Sequence, residues 1–220
     1  MNIQPKTLNV PYIPELNDVQ LEDAVGILDE KGERRTIDCL NWKDQFPYHP
    51  LTAFSIAHSG THIFLDFFVR CNYLRAVNYK NNSDVYQDSC VEFFVAPEGN
   101  APYYNFEFNC IGTIHAAKRM DRHNGTLLSD DELSLVRRLP SCGTRPFEEL
   151  EGIFSWNILV AIPLKLIGKS YTPGTPLTLH GNFYKCADAT SHPHYLSWSP
   201  IDTPTPDFHR PEFFGTIVLE

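Results

Sequence analysis

The stretch DSCVEFFVAP, residues 88–97, decides how the chain is read. It is an apolar run that ends in a turn-forming Pro-Glu-Gly-Asn, and its side chains alternate faces if it is a strand. Val91, Phe93 and Val95 then share a wholly apolar face that belongs in a core. Cys90, Glu92 and Phe94 share the other, where one carboxylate interrupts apolar residues. Burying that carboxylate unpaired is costly, so Glu92 is expected to meet water, a partner side chain or a ligand.

The same period of two recurs outward from this point. Apolar alternation runs through TAFSIAH (52–58) and IFLDFFVRC (63–71), and YLRAVNY (73–79) continues or restarts a strand. In YNFEFNC, Tyr104, Phe106, Phe108 and Cys110 face one way, and Asn105, Glu107 and Asn109 the other. Gly112 supplies the turn into TIHAAKR. Trp156, Ile158, Val160 and Ile162 alternate in FSWNILVAIP, and Pro163 starts a single helical turn. RTIDCLNW (35–42), LTLHGNFYKC (177–186), YLSWSPI (195–201) and FFGTIVLE complete the set. SDDELSLVRRLP is the helix expected, with Ser129 and Glu132 spaced as a capping box. Nine to eleven short strands with little helix predict an all-β sandwich or barrel. Val91, Phe93, Val95, Phe106, Phe108, Ile158, Val160 and Ile162 are its expected core.

Composition agrees. The 220 residues fit one large β domain, with residues 1–34 as an N-terminal extension packed on it, and no linker or repeat divides them. Aromatic residues make up 13%, and 17 prolines outnumber 12 glycines, which favours strands and ordered loops. A net charge of −9 argues against nucleic acid as a partner, since phosphate binding needs a basic footprint. No apolar run reaches membrane-spanning length, and no signal peptide is visible, so the sequence leans towards a cytoplasmic protein. If a leader was removed, the compartment is secreted or periplasmic. The Asn81 and Asn124 glycosylation matches matter only if the chain is secreted in a eukaryote. Cys39, Cys71, Cys90, Cys110, Cys142 and Cys186 are widely spaced without Cys-x-x-Cys, which predicts free thiols rather than disulfides.

Three chemistries compete. A glycoside hydrolase would pair Glu92 with Asp88 or Glu107 across a sugar. A metal or haem sandwich would draw on His192 and His194, with Asp188, His180 or His209, or on Met120. The histidines flank a proline in a loop and Met120 lies among charged residues, so no metal or cofactor is assigned. A sugar-binding surface would stack an aromatic ring on the apolar face of a pyranose and surround its hydroxyl rim with polar groups. Covering roughly 60–100 Å² in this way contributes about 2 kcal/mol.

The segments VYQDSCVEFFVAP, YYNFEFNCIGTIHAA, WNILVAIPLKLIG, NFYKC, LSWSP and FHRPEFFGTIVLE, in this order, resemble the family 9 carbohydrate-binding modules. They are also similar to the broader DOMON-like sandwich group. The resemblance runs from about residue 35 to the C-terminus. It implies an immunoglobulin-like β-sandwich that binds carbohydrate without catalysis, clamping a sugar between two aromatic rings. The first clamp position falls on Tyr86, where the family has tryptophan, and the second is matched to Trp198. The Val-Glu carboxylate falls on Glu92, and Glu107 stands where some sugar binders carry a basic residue. The expected site is therefore Tyr86, Glu92 and Trp198 in one groove, with Glu107, Asn182 and Lys185 on its polar rim.

Overall fold

The computed structural model describes residues 5–220. Thirteen strands and two α-helices are present among them. In chain order they are β1 (Thr7–Val10), α1 (Leu21–Lys31), β2 (Glu33–Thr36), β3 (Leu51–His58), β4 (His62–Ala76), β5 (Cys90–Ala96) and β6 (Tyr103–Asn109). There follow β7 (Ile114–Arg119), β8 (Gly125–Leu127), α2 (Asp130–Ser134), β9 (Arg137–Pro140), β10 (Phe147–Pro163), β11 (Leu177–Cys186), β12 (Tyr195–Ser197) and β13 (Gly215–Leu219). One sheet runs β1-β13-β11-β5-β6-β7-β8, with β12 pairing on the free half of β11, and the second runs β2-β3-β4-β10-β9. The two sheets form the expected sandwich.

The core lies between the sheets. All eight residues expected there are buried in one cluster with Phe67, Val69 and Trp156. Phe183 of β11 joins the layers, its ring 4.1 Å from Phe54 and 4.9 Å from Phe93. Alternation placed these residues correctly because a strand cannot turn one of them outward without turning its i±2 neighbours as well.

Three elements differ from the expectation. The sandwich has thirteen strands rather than nine to eleven, because short edge strands such as β8 and β9 carry too few residues to show a period. The helix over SDDELSLVRRLP stops after Asp130–Ser134. Its capping box forms, with Ser129 N donating to Glu132 Oε2 at 2.8 Å and Glu132 N to Ser129 Oγ at 3.3 Å. Arg137–Pro140 then pairs with β10, since a single helical turn has little cooperativity to hold residues that an open sheet edge can bond. RTIDCLNW contributes only its first two residues to β2, and the rest is irregular.

The N-terminal segment is part of the architecture. β1 pairs in parallel with β13, and α1, which alternation did not anticipate, lays Ala24 and Leu28 on Ala57, Phe64, Leu159 and Ala161 of the second sheet's outer face. No helix among the described residues is long and apolar enough to cross a membrane. All six cysteines are free thiols, as their spacing predicted.

Candidate functional site

The outer face of the first sheet is also apolar at Cys90, Phe94, Tyr103, Tyr184 and Cys186, so it needs a cover. Loops supply it: Trp42, Val85, Ile201, Phe208 and Phe214 pack over it as a second cluster. Hydrogen bonds fix the covering chain. Trp42 Nε1 donates to Thr203 O at 2.8 Å, and Tyr184 Oη donates to Phe208 O at 3.1 Å. Tyr103 Oη lies 2.9 Å from His209 Nδ1, a ring whose pKa burial pushes down to about 3.

The cover is incomplete over one row of the sheet. Strand register aligns Tyr184 with Glu92, Glu92 with Glu107, and Glu107 with His115. Above this row opens a cleft of about 470 Å³, a size suited to a small ligand. Glu92, Glu107 and His115 line it from the sheet, and Arg119, Arg122 and Asp207 from the rim; Tyr86 and Asp84 border it on one side and Phe46, Tyr195 and Phe208 on another. The Val85–Gln87 turn carrying Tyr86 is tied to the β11–β12 loop, where Asp188 N donates to Tyr86 O at 3.1 Å and Ala189 N to Gln87 O at 3.0 Å.

The polar groups are arranged in a chain with two free ends. Asn105 Nδ2 donates to Glu107 Oε1 at 2.8 Å, and Arg119 Nε donates to Asn105 Oδ1 at 2.8 Å. An Arg119 terminal nitrogen lies 3.3 Å from His115 Nε2. A guanidinium only donates, so His115 Nε2 accepts and the ring proton sits on Nδ1. Among the described residues, His115 Nδ1 and Glu107 Oε2 are buried without a partner. Two residues that line the cleft thus each keep one unpartnered polar atom just beneath its surface.

Two buried carboxyls facing each other cannot both ionise freely. Burial, then the facing Glu107, raises the pKa of Glu92 well above the usual carboxylate range, and burial raises that of Glu107. Cys186 Sγ donates to Glu92 Oε1 at 3.1 Å. At the rim, burial pushes Asp188 up to about 6, partly opposed by its hydrogen bond with Tyr195.

Of the residues expected at the site, Tyr86, Glu92 and Glu107 lie together in this cleft. Trp198 does not. It is buried in the core between the sheets, edge-on to Phe183 at 5.6 Å. Its ring packs so tightly on Gly215 that a Cβ there would come within 2.4 Å. The reason is strand phase: Tyr195 and Trp198 are an odd number of residues apart, so they point to opposite faces. The aromatic of this segment that reaches the cleft is Tyr195, 4.8 Å from Phe46 and 6.1 Å from Phe208.

Asn182 and Lys185 are also elsewhere. Asn182 spends its amide on the chain after β12, accepting from Ser199 N at 2.8 Å and donating to Ser199 O at 2.9 Å. Lys185 pairs with Val91 and so faces the interior. There its Nζ donates to Cys186 O at 2.6 Å and to His194 Nε2 at 2.9 Å, and burial lowers the pKa of both Lys185 and His194. Asp88, the other carboxylate considered, is wholly buried outside the cleft. It binds Arg75 at 2.5 Å, the backbone N of Val77 and Asn78, and Asn109. The cleft residues not anticipated from the sequence are His115, Arg119 and Tyr195; the position opposite Glu107 on the next strand was the available signal for His115.

A sandwich whose sheet carries a lateral cleft, with an aromatic edge and a polar floor, is the architecture of a small-ligand binding module. Residues 23–219 match the model of carbohydrate-binding family 9, and the chain belongs to that family. No curated protein matches it. A proposed carbohydrate-binding protein from Bacteroides uniformis ATCC 8492 is similar at 39% identity over 99% of this chain and 100% of that one, with a TM-score of 0.92. A family 9 carbohydrate-binding module from Caldicellulosiruptor kristjanssonii, solved with cellotriose, shares the fold at a TM-score of 0.56. It is 15% identical over 96% of this chain and 92% of its own. A family 9 module from the same organism, solved with glucose, also matches at 0.56, with 16% identity over 98% of this chain and 96% of its own.

Proposed function

We propose that the cleft bounded by Tyr86, Glu92, Glu107, His115 and Arg119 binds a neutral sugar unit, and that the chain acts by binding alone. The observation that carries this reading is the pair of unpartnered polar atoms, Glu107 Oε2 and His115 Nδ1, just beneath the cleft surface. Both atoms are buried on residues that line the cleft, and a sugar hydroxyl, which both donates and accepts, is the group that would satisfy either once a small side-chain shift opens it to the cleft. Leaving those groups unpaired costs about 1–3 kcal/mol each, which a ligand with matched hydroxyls regains. Tyr86 adds an exposed ring beside them, and the aromatic edge of Tyr195 and Phe46 lies within the same cleft. Since family 9 modules of the same fold hold cellotriose and glucose, glucose units are the first class to try.

The carboxyl arrangement favours binding over hydrolysis. Glu92 Oε1 accepts from Cys186 Sγ and Glu107 Oε1 from Asn105 Nδ2, so both carboxyls are engaged within the buried sheet face rather than presented to a glycosidic oxygen. Asp88 is occupied by Arg75 and two backbone amides.

Isothermal titration with glucose and cellotriose, followed by a glycan array, tests the reading. Saturable binding that falls at least about tenfold in His115→Ala is expected, with no reducing sugar released on prolonged incubation. Hydrolysis lost in Glu92→Gln would replace this reading with an enzyme. Binding by the parent that is unchanged in His115→Ala would move the site away from the cleft.

A further inference from the structure

Beneath the cleft lies a second donor set, which shares Glu92 with the proposed sugar site. Cys90 and Cys186 face each other directly across β5 and β11, and Glu92 stands two residues along β5 on the same face. Their ligand atoms all lie within 4.8 Å of one another, with Glu92 Oε1 3.1 Å from Cys186 Sγ and 3.9 Å from Cys90 Sγ. All three side chains are buried, and Cys186 and Glu92 also border the cleft.

Tetrahedral zinc with sulfur ligands at about 2.3 Å and a carboxylate oxygen at about 2.0–2.2 Å sets ligand atoms roughly 3.5–3.8 Å apart. The observed triangle brackets that spacing, so small side-chain rotations close it around an ion. We propose that Cys90, Cys186 and Glu92 form a binding site for a thiophilic divalent cation of the zinc class, set into the floor of the cleft.

Two thiolates and one carboxylate are a soft donor set that excludes calcium and magnesium, which require oxygen ligands. Three protein ligands leave the fourth tetrahedral position open, on the side where Cys186 and Glu92 meet the cleft. Glu107 is the cross-strand neighbour of Glu92, and its unpartnered Oε2 is an acceptor for a water or ligand hydroxyl held at that position. Binding releases the thiol protons and any proton on Glu92 to solvent. The ion then holds a net single negative charge with its three ligands.

The test is a cobalt(II) titration of the reduced, intact chain with no sugar present. One cobalt per chain with a thiolate-to-cobalt charge-transfer band, displaced by one equivalent of zinc, is expected. Cys186→Ser should at least halve the band, Cys90→Ser with Cys186→Ser should abolish it, and Glu92→Gln should weaken binding by roughly tenfold or more. Cys39→Ser, whose thiol bonds Trp198 O at 3.2 Å outside the cluster, should leave it intact. Absence of the band from the parent, or its survival undiminished when both Cys90 and Cys186 are serine, overturns the proposal. X-ray absorption of the zinc-loaded parent decides independently of whether any variant folds: two sulfur ligands support the site, and a shell of only oxygen and nitrogen refutes it.

Discussion

Tyr86→Ala separates a sugar platform from a structural aromatic. Tyr86 is 37% exposed; against a side-chain area of roughly 200 Å², about 75 Å² of ring is left for a ligand, worth about 1.9 kcal/mol at 25 cal/mol/Å². Full cover by a pyranose therefore predicts a loss of about 25-fold in affinity, and half cover about fivefold. The rest of the residue is covered by protein, so the variant also loses about 1–2 kcal/mol of stability. Binding is best measured by calorimetry with cellotriose well below the melting transition, and stability by a separate melt. Tyr86→Phe keeps the stacking face and should bind within about twofold of the parent if stacking carries the effect. If Tyr86→Ala is folded and binds cellotriose within twofold of a binding parent, the ring is no platform and the reasoning from exposed area fails.

Trp198→Ala should lower stability by about 3–5 kcal/mol, a fall in melting temperature of roughly 10 °C, because it empties a core site rather than a cleft; calorimetric melting checks this. Gly215→Ala should destabilise from the opposite direction, since its Cβ would meet Trp198 at 2.4 Å and Lys6 O at 2.6 Å, and denaturant unfolding measures the loss. Asp66 is pushed up to about 6 by burial, with one oxygen unpartnered and the other 3.4 Å from Asn157 Nδ2. The folded state then binds this proton more tightly than the unfolded chain, so its contribution is fullest below about pH 4 and is lost as pH rises to about 6. Asp66→Asn should stabilise by about 1–2 kcal/mol at pH 7, after allowance for its partial exposure, and by almost nothing at pH 4. Denaturant melts at the two pH values give the difference, and an equal effect at both would rule out the linkage. Intact-mass analysis after denaturing alkylation without reductant should find six modified thiols.

The sequence by itself determined which residues form the core and which strand faces exist. Val91, Phe93, Val95, Phe106 and Phe108 needed only the period of two, because each strand's backbone dictates facing independently of its neighbours. The same rule set Glu92 and Glu107 on the second face of their strands. It did not determine what covers that face, which depends on loops 37–50 and 198–214 reaching back across the sheet through bonds such as Trp42 Nε1 to Thr203 O. Nor did it choose between Tyr195 and Trp198, whose aromatic chemistry is alike and whose facing depends on how β12 pairs with β11. Lys185 read as a rim residue because its ammonium can hydrogen-bond a sugar hydroxyl, yet its register opposite Val91 turns it inward, where Nζ donates to His194 Nε2. Cys90 and Cys186 are 96 residues apart and carry no local signal. Only the antiparallel register of β5 and β11 sets them side by side, because strand pairing is a long-range contact that local spacing does not encode.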